Sequence, residues 1–158
     1  MKKKRSRELF LGNVKIGGGA PISVQSMTKT DTRNTPQTVR QIRQLEKAGC
    51  EIVRLAVPDM EAAKNLGALT RAVSIPLVAD IHFDYKLALE SIRQGIAGLR
   101  INPGNIGSRE KIQAVVGAAQ DHKIPIRIGV NVGSLQKRVL KKYKHPSPEA
   151  MVESALEH

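Results

Sequence analysis

Residues 51–83, EIVRLAVPDMEAAKNLGALTRAVSIPLVADIHF, decide the fold class of this chain. The two apolar runs at residues 51–57 and 75–83 have the length and composition of buried strands. The segment between them is typical of a helix, and Asp59 stands where an N-cap is expected. A strand, a helix and a second strand in this order predict a parallel βαβ unit.

The same alternation continues on both sides of this unit. Residues 8–21 precede it and predict a β-hairpin that turns at Gly12–Asn13. Thr35 is the predicted N-cap of the first helix. The predicted strands are residues 22–27, 51–57, 75–83, 98–102 and 124–131, and the predicted helices are residues 35–49, 59–73, 85–95, 108–123 and 147–158.

Alternating strands and helices predict an α/β fold with a parallel sheet. An open doubly wound sheet and part of a (β/α)8 barrel are both compatible with five βα units. A complete barrel typically needs about 250 residues, whereas the chain has 158. If the fold is a barrel, we expect a partial TIM (β/α)8 barrel of about five units, preceded by the hairpin.

The charge balance indicates an anionic partner. Lys and Arg number 26 against 14 Asp and Glu, which gives a formal net charge of +12. A phosphorylated small molecule, nucleic acid and an acidic lipid surface all fit this charge. Aromatic residues make up only 3% and Trp is absent, so the stacking platforms of single-strand binders are scarce. We therefore expect nucleic-acid binding less than small-molecule binding.

Other composition features restrict the class of protein. Cys50 is the single cysteine, so we expect no internal disulfide and no multi-cysteine metal motif in this chain. No apolar run approaches the roughly 20 residues of a membrane span. The basic leader at residues 1–8 is not followed by the apolar segment of a signal peptide. These features predict a cytoplasmic protein.

Polar residues follow one face of every predicted strand. Side chains two positions apart share a face, so the members of that face can be read from the sequence. Because ligands of parallel α/β folds bind at the carboxyl ends of the strands, this face predicts a ligand site. Its members are Ser23, Gln25 and Met27; Ile52, Arg54 and Ala56; Asp80 and His82; Arg100 and Asn102; and Arg127, Gly129 and Asn131.

Three arginines on this face, Arg54, Arg100 and Arg127, favour a diphosphate ligand, because the planar guanidinium binds phosphate oxygens bidentately. Two interpretations of the neighbouring groups remain open. Asp80 forms either a purely structural pair with an arginine or part of the site. His82 is either a structural histidine or a proton donor or phosphate ligand. The basic residues 137–145 are a solvated loop or helix face, a lid over the anion or a nucleic-acid contact.

Five ordered motifs carry a resemblance to a known family. The chain resembles the N-terminal part of bacterial 4-hydroxy-3-methylbut-2-en-1-yl diphosphate synthases from about Val14 to its end. The motifs are GGGAPISVQSMTKTDTRNT (17–35), AGCEIVRLAVPDMEAA (48–63), PLVADIHFDYKLAL (76–89), LRINPGNIGSREK (99–111) and IPIRIGVNVGSL (124–135).

The resemblance implies an enzyme of the methylerythritol phosphate pathway of isoprenoid biosynthesis. The family opens 2-C-methyl-D-erythritol 2,4-cyclodiphosphate reductively, with two electrons from flavodoxin or ferredoxin. Its bacterial members bind the substrate in an N-terminal TIM barrel. A separate C-terminal domain carries a [4Fe-4S] cluster on three cysteines and a glutamate, and the enzyme is a homodimer. On this basis we expect residues 1–158 to be one truncated part of the barrel, without the cluster domain or its ligands.

The resemblance also assigns roles to residues. It implies that the cyclic diphosphate is bound by the arginines and by further polar groups, while Asp80 and His82 lie at the edge of the pocket as candidate catalytic residues. By itself this chain is expected to be inactive, to hold no cluster and to self-associate through the open edges of its sheet. The alternatives are a basic nucleic-acid-binding module and another phosphate-binding barrel, such as a pterin-condensing synthase. The implied substrate-binding residues are Gln25, Arg54, Arg100, Asn102, Arg127, Asn131 and Ser134.

Overall fold

A five-stranded parallel sheet is the centre of the structure, a computed structural model that describes residues 6–157. A two-stranded antiparallel hairpin precedes the sheet. The strands are β1 (Leu9–Leu11), β2 (Val14–Ile16), β3 (Gln25–Met27), β4 (Ile52–Ala56), β5 (Leu77–Ile81), β6 (Gly98–Ile101) and β7 (Ile126–Ile128). The helices are α1 (Thr35–Lys47), α2 (Met60–Ala72), α3 (Tyr85–Arg93), α4 (Pro103–Ile106), α5 (Arg109–Asp121), α6 (Lys137–Tyr143) and α7 (Pro148–Leu156).

The sheet has the strand order β3-β4-β5-β6-β7, with every neighbouring pair parallel. Sequential order with a helix after each strand is the arrangement of a (β/α)8 barrel, whereas a doubly wound sheet reverses its strand order at a switch point. The prediction of a partial barrel of about five βα units behind a hairpin is therefore confirmed. Within residues 6–157, β3 and β7 each pair on one side only.

The N-terminus of α2 follows the expected chemistry, whereas that of α1 differs from the prediction. Asp59 caps α2 by accepting a hydrogen bond from the Ala62 amide at 2.9 Å. The prediction that Thr35 caps α1 is wrong, because Asn34 occupies that position and accepts from the Gln37 amide at 3.2 Å. Thr35 is the first helical residue instead, and its hydroxyl donates to Asn65 of α2 at 2.9 Å.

One face of the sheet packs against the helices and forms the main hydrophobic core. Residues of alternate parity in β4, β5 and β6 are fully buried there against α1, α2, α3 and α5. This burial supplies most of the stabilising free energy of the fold. The buried strand residues on this face are Val53, Leu55, Leu77, Ala79, Ile81, Leu99 and Ile101.

The hairpin closes the amino-terminal end of the opposite face. Leu11 of β1 packs with Ile52 and Val78, which are the first residues of that face in β4 and β5. Gly98 makes this contact possible, because a Cβ at that position would lie 2.8 Å from Leu11 Cδ1. The amino-terminal part of the polar face is thus apolar at β4 and β5, and the hairpin covers it there.

The outer strands are shorter than predicted, since β3 begins at Gln25 and β7 ends at Ile128. Each lacks a second neighbour that would extend its ladder. Two short elements were not predicted: α4, and a 3-10 turn at Val132–Ser134 after β7. The basic stretch forms α6, which packs on α7 through Leu135, Val139 and Ala150. No helix in residues 6–157 is both long and apolar enough to span a membrane.

Candidate anion-binding site

The register of the sheet brings the polar residues of the strands to one face. Asp80 pairs with Ala56 on one side and with Arg100 on the other, and Arg100 pairs in turn with Arg127. Arg54 stands one pleat lower, opposite Val78. Residues in one register row project to the same side of a sheet. The row therefore presents two arginines and one carboxylate, with a third arginine just below.

Asp80 is the centre of this arrangement. Arg100 Nη1 donates to its Oδ1 at 3.1 Å, and Arg54 Nε lies 3.4 Å from Oδ2. His82 Nε2 is 3.4 Å from Oδ1. Only 4% of the Asp80 side chain is exposed, so its charge requires these partners. One carboxylate cannot neutralise two arginines, and the cluster keeps an excess of positive charge.

The other contacts of Arg54 are weak. Its Nε and Nη2 lie 3.4 and 3.3 Å from Met27 Sδ, and a thioether is a poor acceptor. The side chain is 28% exposed, compared with 18% for Arg100. Both guanidinium groups therefore retain donors that face the carboxyl end of the sheet and can bind an anion.

Arg127 completes the set of arginines from the edge strand. Its side chain is exposed and makes no ion pair or hydrogen bond with any residue in the part of the chain that the structure describes. It lines a cavity of 220 Å³ together with Gln25 and Val78. The Gln25 Oε1 is buried there and has no partner among residues 6–157. Arg127 is accordingly a cation that is free to bind a ligand.

Asn102 follows β6 directly and is the most enclosed polar group near the arginines. The residue is 1% exposed, and neither its amide oxygen nor its amide nitrogen finds a partner among the described residues. A buried polar group left without a hydrogen bond costs about 1–3 kcal/mol. Both polar atoms of the Asn102 amide are therefore available for hydrogen bonds.

The turn after β7 holds the last two predicted ligand residues. The Ser134 hydroxyl donates to the Asn131 carbonyl at 3.1 Å and accepts from the Asn131 amide at 3.1 Å. Ser134 is buried and its hydroxyl serves the turn, whereas Asn131 is exposed. The turn packs against α4, because a Cβ on Gly104 would lie 2.6 Å from the Ser134 carbonyl oxygen.

His82 lies at the rim of the cluster. Its side chain is 55% exposed, and its ring meets that of Phe83 edge-to-face with centroids 6.0 Å apart. Both rings line a cavity of 350 Å³ with Asp80 and Leu87. The imidazole is thus exposed beside the carboxylate of Asp80.

The structure thus gathers Arg54, Asp80, His82 and Arg100 into one contacting cluster. The other predicted residues lie near the same end of the sheet except Gln25, which pairs with Ile52 toward the amino-terminal end and lines a cavity with Leu11 of the hairpin. Sequence reasoning missed the role of Gly129, whose Cβ would lie 2.5 Å from Arg100 Nε. The sequence offered one signal for this role, a glycine two positions after Arg127 on the polar face, because a glycine in a strand often marks a close approach of another group to the backbone.

The donor groups of these residues do not fit an iron–sulfur cluster. Among residues 6–157, no three His, Cys, Asp or Glu side chains are grouped so that they could hold a metal ion. Cys50 precedes β4, at the opposite end of the sheet from the arginines. Its buried thiol donates to the Ile52 carbonyl at 3.0 Å.

A sequential parallel sheet defines the class of protein, a (β/α) barrel, and this one carries a basic cluster at the carboxyl ends of its strands. Residues 6–158 match the GcpE TIM-barrel domain. The chain therefore belongs to the GcpE family.

The similar curated proteins carry one name, 4-hydroxy-3-methylbut-2-en-1-yl diphosphate synthase (flavodoxin). The protein of Thermodesulfovibrio yellowstonii is 62% identical over the whole chain and that of Clostridium perfringens 56%. The protein of Geobacter sulfurreducens is 61% identical over 99% of the chain. The chain spans less than half the length of these relatives, 45%, 45% and 44% respectively.

Solved structures agree on the fold. Dihydropteroate synthase of Yersinia pestis superposes with a TM-score of 0.58 at 12% identity, over 94% of this chain and 57% of that one. The dihydropteroate synthase of Vibrio fischeri superposes with a TM-score of 0.57 at 12% identity, over 77% of this chain and 48% of that one. Pterin-condensing synthases therefore share the barrel architecture, while the family match assigns this chain to a different family.

Proposed function

We propose that this chain is the N-terminal part of the substrate-binding TIM barrel of a 4-hydroxy-3-methylbut-2-en-1-yl diphosphate synthase, and that it binds the diphosphate group of the substrate. The observation that carries the proposal is the charge imbalance at Asp80. One buried carboxylate faces Arg54 and Arg100, while Arg127 stands unpaired beside them. A diphosphate supplies the missing negative charge and accepts several hydrogen bonds at once.

The remaining residues take supporting roles in this proposal. Asn102 offers both its amide donor and its amide acceptor to the ligand, and Gln25 offers its buried oxygen. Asn131 and Ser134 form the rim of the pocket after β7. His82 and Asp80 are the candidate catalytic residues, with the imidazole as proton donor and Asp80 as its partner at 3.4 Å.

In the proposed reaction of the whole enzyme, 2-C-methyl-D-erythritol 2,4-cyclodiphosphate takes up two electrons and two protons. The carbon–oxygen bond that closes the ring to the diphosphate breaks, one hydroxyl leaves as water, and 4-hydroxy-3-methylbut-2-enyl diphosphate is formed. Flavodoxin, which appears in the names of the similar proteins, or ferredoxin supplies the electrons. The part played by residues 6–157 is to hold the diphosphate while this occurs.

The proposal extends to parts that the described residues do not include. A [4Fe-4S] cluster would supply the electron transfer, held by ligands outside the described residues, and the whole enzyme would work as a cytoplasmic homodimer. The support for these statements is family membership together with the lengths of the relatives, of which this chain spans less than half.

Calorimetric titration with inorganic pyrophosphate tests the proposal. The chain should bind pyrophosphate, and Arg100→Ala should weaken binding by about tenfold or more, because a charge-assisted hydrogen bond contributes roughly 1.5–3 kcal/mol. Arg93→Ala is the matched control. It removes the same charge from an exposed position on α3, where Arg93 pairs with Glu90, and should bind as the wild type does.

The same variants separate this proposal from nucleic-acid binding. If RNA is the partner, binding should fall steeply with salt and should depend on the lysines of α6. RNA affinity should then be nearly unchanged in Arg100→Ala. Equal pyrophosphate affinity in wild type, Arg100→Ala and Arg93→Ala would contradict the diphosphate site.

A further inference from the structure

We propose that Gly129 and Asp80 are positioning residues, which together fix the orientation of the Arg100 guanidinium before any ligand binds. The inference rests on the proposed diphosphate site. It adds that Arg100 needs other residues to hold its guanidinium in the orientation that binds the anion. Arg100 has three rotatable bonds beyond Cβ, so an unsupported side chain would lose considerable entropy when it binds an anion. A guanidinium that is already fixed avoids that loss.

Asp80 holds one end of the guanidinium. Its Oδ1 accepts from Arg100 Nη1 at 3.1 Å across the β5–β6 pair, where the two residues are direct register partners. Asp80 belongs to a central strand and is almost wholly buried, so its carboxylate has little freedom to move. This contact leaves Nε and Nη2 of Arg100 for other partners.

Gly129 makes room for the other end. A Cβ built on Gly129 would lie 2.5 Å from both Nε and Nη2 of Arg100 and 2.7 Å from Cζ. The guanidinium therefore lies across the β7 backbone in space that any other residue would fill. The Gly129 amide donates to the Ile101 carbonyl at 2.8 Å, which fixes the backbone beneath the guanidinium.

Alanine at this position should move Arg100 and leave the fold intact. Gly129 is absent from the positive-φ residues, so its backbone accepts a side chain without strain. The clash is with the far end of a flexible side chain, which yields before a backbone does. The variant Gly129→Ala keeps every charge of the protein and alters only the position of one of them.

Pyrophosphate titration of Gly129→Ala is the first test. We expect binding weaker by about tenfold or more, since a displaced guanidinium loses its charge-assisted hydrogen bonds to the anion. Gly117→Ala is the matched control, because a Cβ on Gly117 of α5 would have no neighbour within 4 Å. Wild-type affinity in Gly129→Ala would overturn the role of Gly129.

Asp80→Asn is the second test, and it separates positioning from simple electrostatics. Removal of a negative charge beside an anion site should strengthen binding if charge alone matters. If Asp80 positions Arg100, pyrophosphate binding should weaken instead. Asp121→Asn, which removes an exposed carboxylate at the end of α5, should change nothing. Tighter binding by Asp80→Asn would overturn the role of Asp80.

A readout without ligand distinguishes this inference from the proposed function. The Nε–H signal of Arg100 in an NMR spectrum should be sharp in the wild type and in Gly117→Ala, and should shift or broaden in Gly129→Ala and Asp80→Asn. Backbone amide spectra verify that each variant is folded. If the wild type fails to bind pyrophosphate yet shows this pattern, the proposed function fails and the positioning role stands. A mobile Arg100 in the wild type overturns the inference.

Discussion

Asp80 is the only acidic residue in the five strands of the described sheet, and its environment explains the chemistry of the whole face. Its burial would be costly if the carboxylate were unpaired, and two arginines and a histidine surround it. Since the arginines outnumber the carboxylate, the cluster carries a net positive charge. The site is a basic cluster organised by one acid.

A substitution of Asn102 should affect ligand binding and stability differently. We predict that Asn102→Leu leaves the free energy of unfolding unchanged or raises it by about 1 kcal/mol, because it replaces a buried amide without partners by an apolar group of similar size. Pyrophosphate affinity should fall in the same variant. Urea denaturation and calorimetry measure the two quantities, and a loss of stability of more than about 2 kcal/mol would show that the amide has structural partners.

The strength of the contact between α6 and α7 depends on pH. Lys142 and Tyr143 of α6 both donate to Glu153 of α7. The hydrogen bond from Lys142, and then that from Tyr143, holds the pKa of Glu153 below its ordinary value of 4.5. The same contact with Glu153 raises the pKa of Lys142 above 10.5. The ion pair therefore contributes its full stabilising free energy at pH values between these two ordinary pKa values. This contribution is lost in acid as Glu153 takes up a proton.

We predict that the thermal midpoint of the wild type falls more between about pH 6 and pH 3 than that of Glu153→Gln. The variant lacks the carboxylate whose protonation breaks the contact, so this part of the pH dependence disappears. Thermal unfolding followed by circular dichroism measures the midpoint. Glu61→Gln, an exposed change on α2, should keep the wild-type pH dependence. Parallel curves for wild type and Glu153→Gln would contradict the prediction.

The elements of the fold follow from local chemistry where that chemistry is strong. Asp59 was a recognisable helix cap, and it accepts the expected amide hydrogen bond. The short α4 was not predicted, because four residues that contain proline and glycine carry no helical periodicity. Its position depends on packing against the turn at Ser134, which lies 30 residues later in the chain.

At the scale of the whole molecule, the two outer strands of the sheet are open in the part of the chain that the structure describes. Each presents unpaired backbone groups beside exposed apolar side chains, among them Val24, which is 54% exposed, and Ile128, which is 42% exposed. Such edges pair with other strands. In the proposed whole enzyme the remaining strands of the barrel would cover them.

We predict that this chain associates in solution through these edges, and that Ile128→Lys reduces the association because a charged side chain disfavours edge pairing. Sedimentation velocity over a range of concentrations measures the assembly. Val152→Lys is the control, since Val152 is 58% exposed on α7 and belongs to neither edge. A monodisperse wild-type monomer would contradict the prediction.

The sequence by itself determined the fold class and the polar face. Alternating strands and helices imply a parallel sheet, and the two-residue period of a strand puts Arg54 and Arg100 on one side of it. Only the tertiary structure decided which groups touch. The contact of Arg100 with Asp80 and the space above Gly129 depend on strand register and on side-chain direction across β5, β6 and β7. Register between strands is set by long-range packing, which local sequence patterns do not specify.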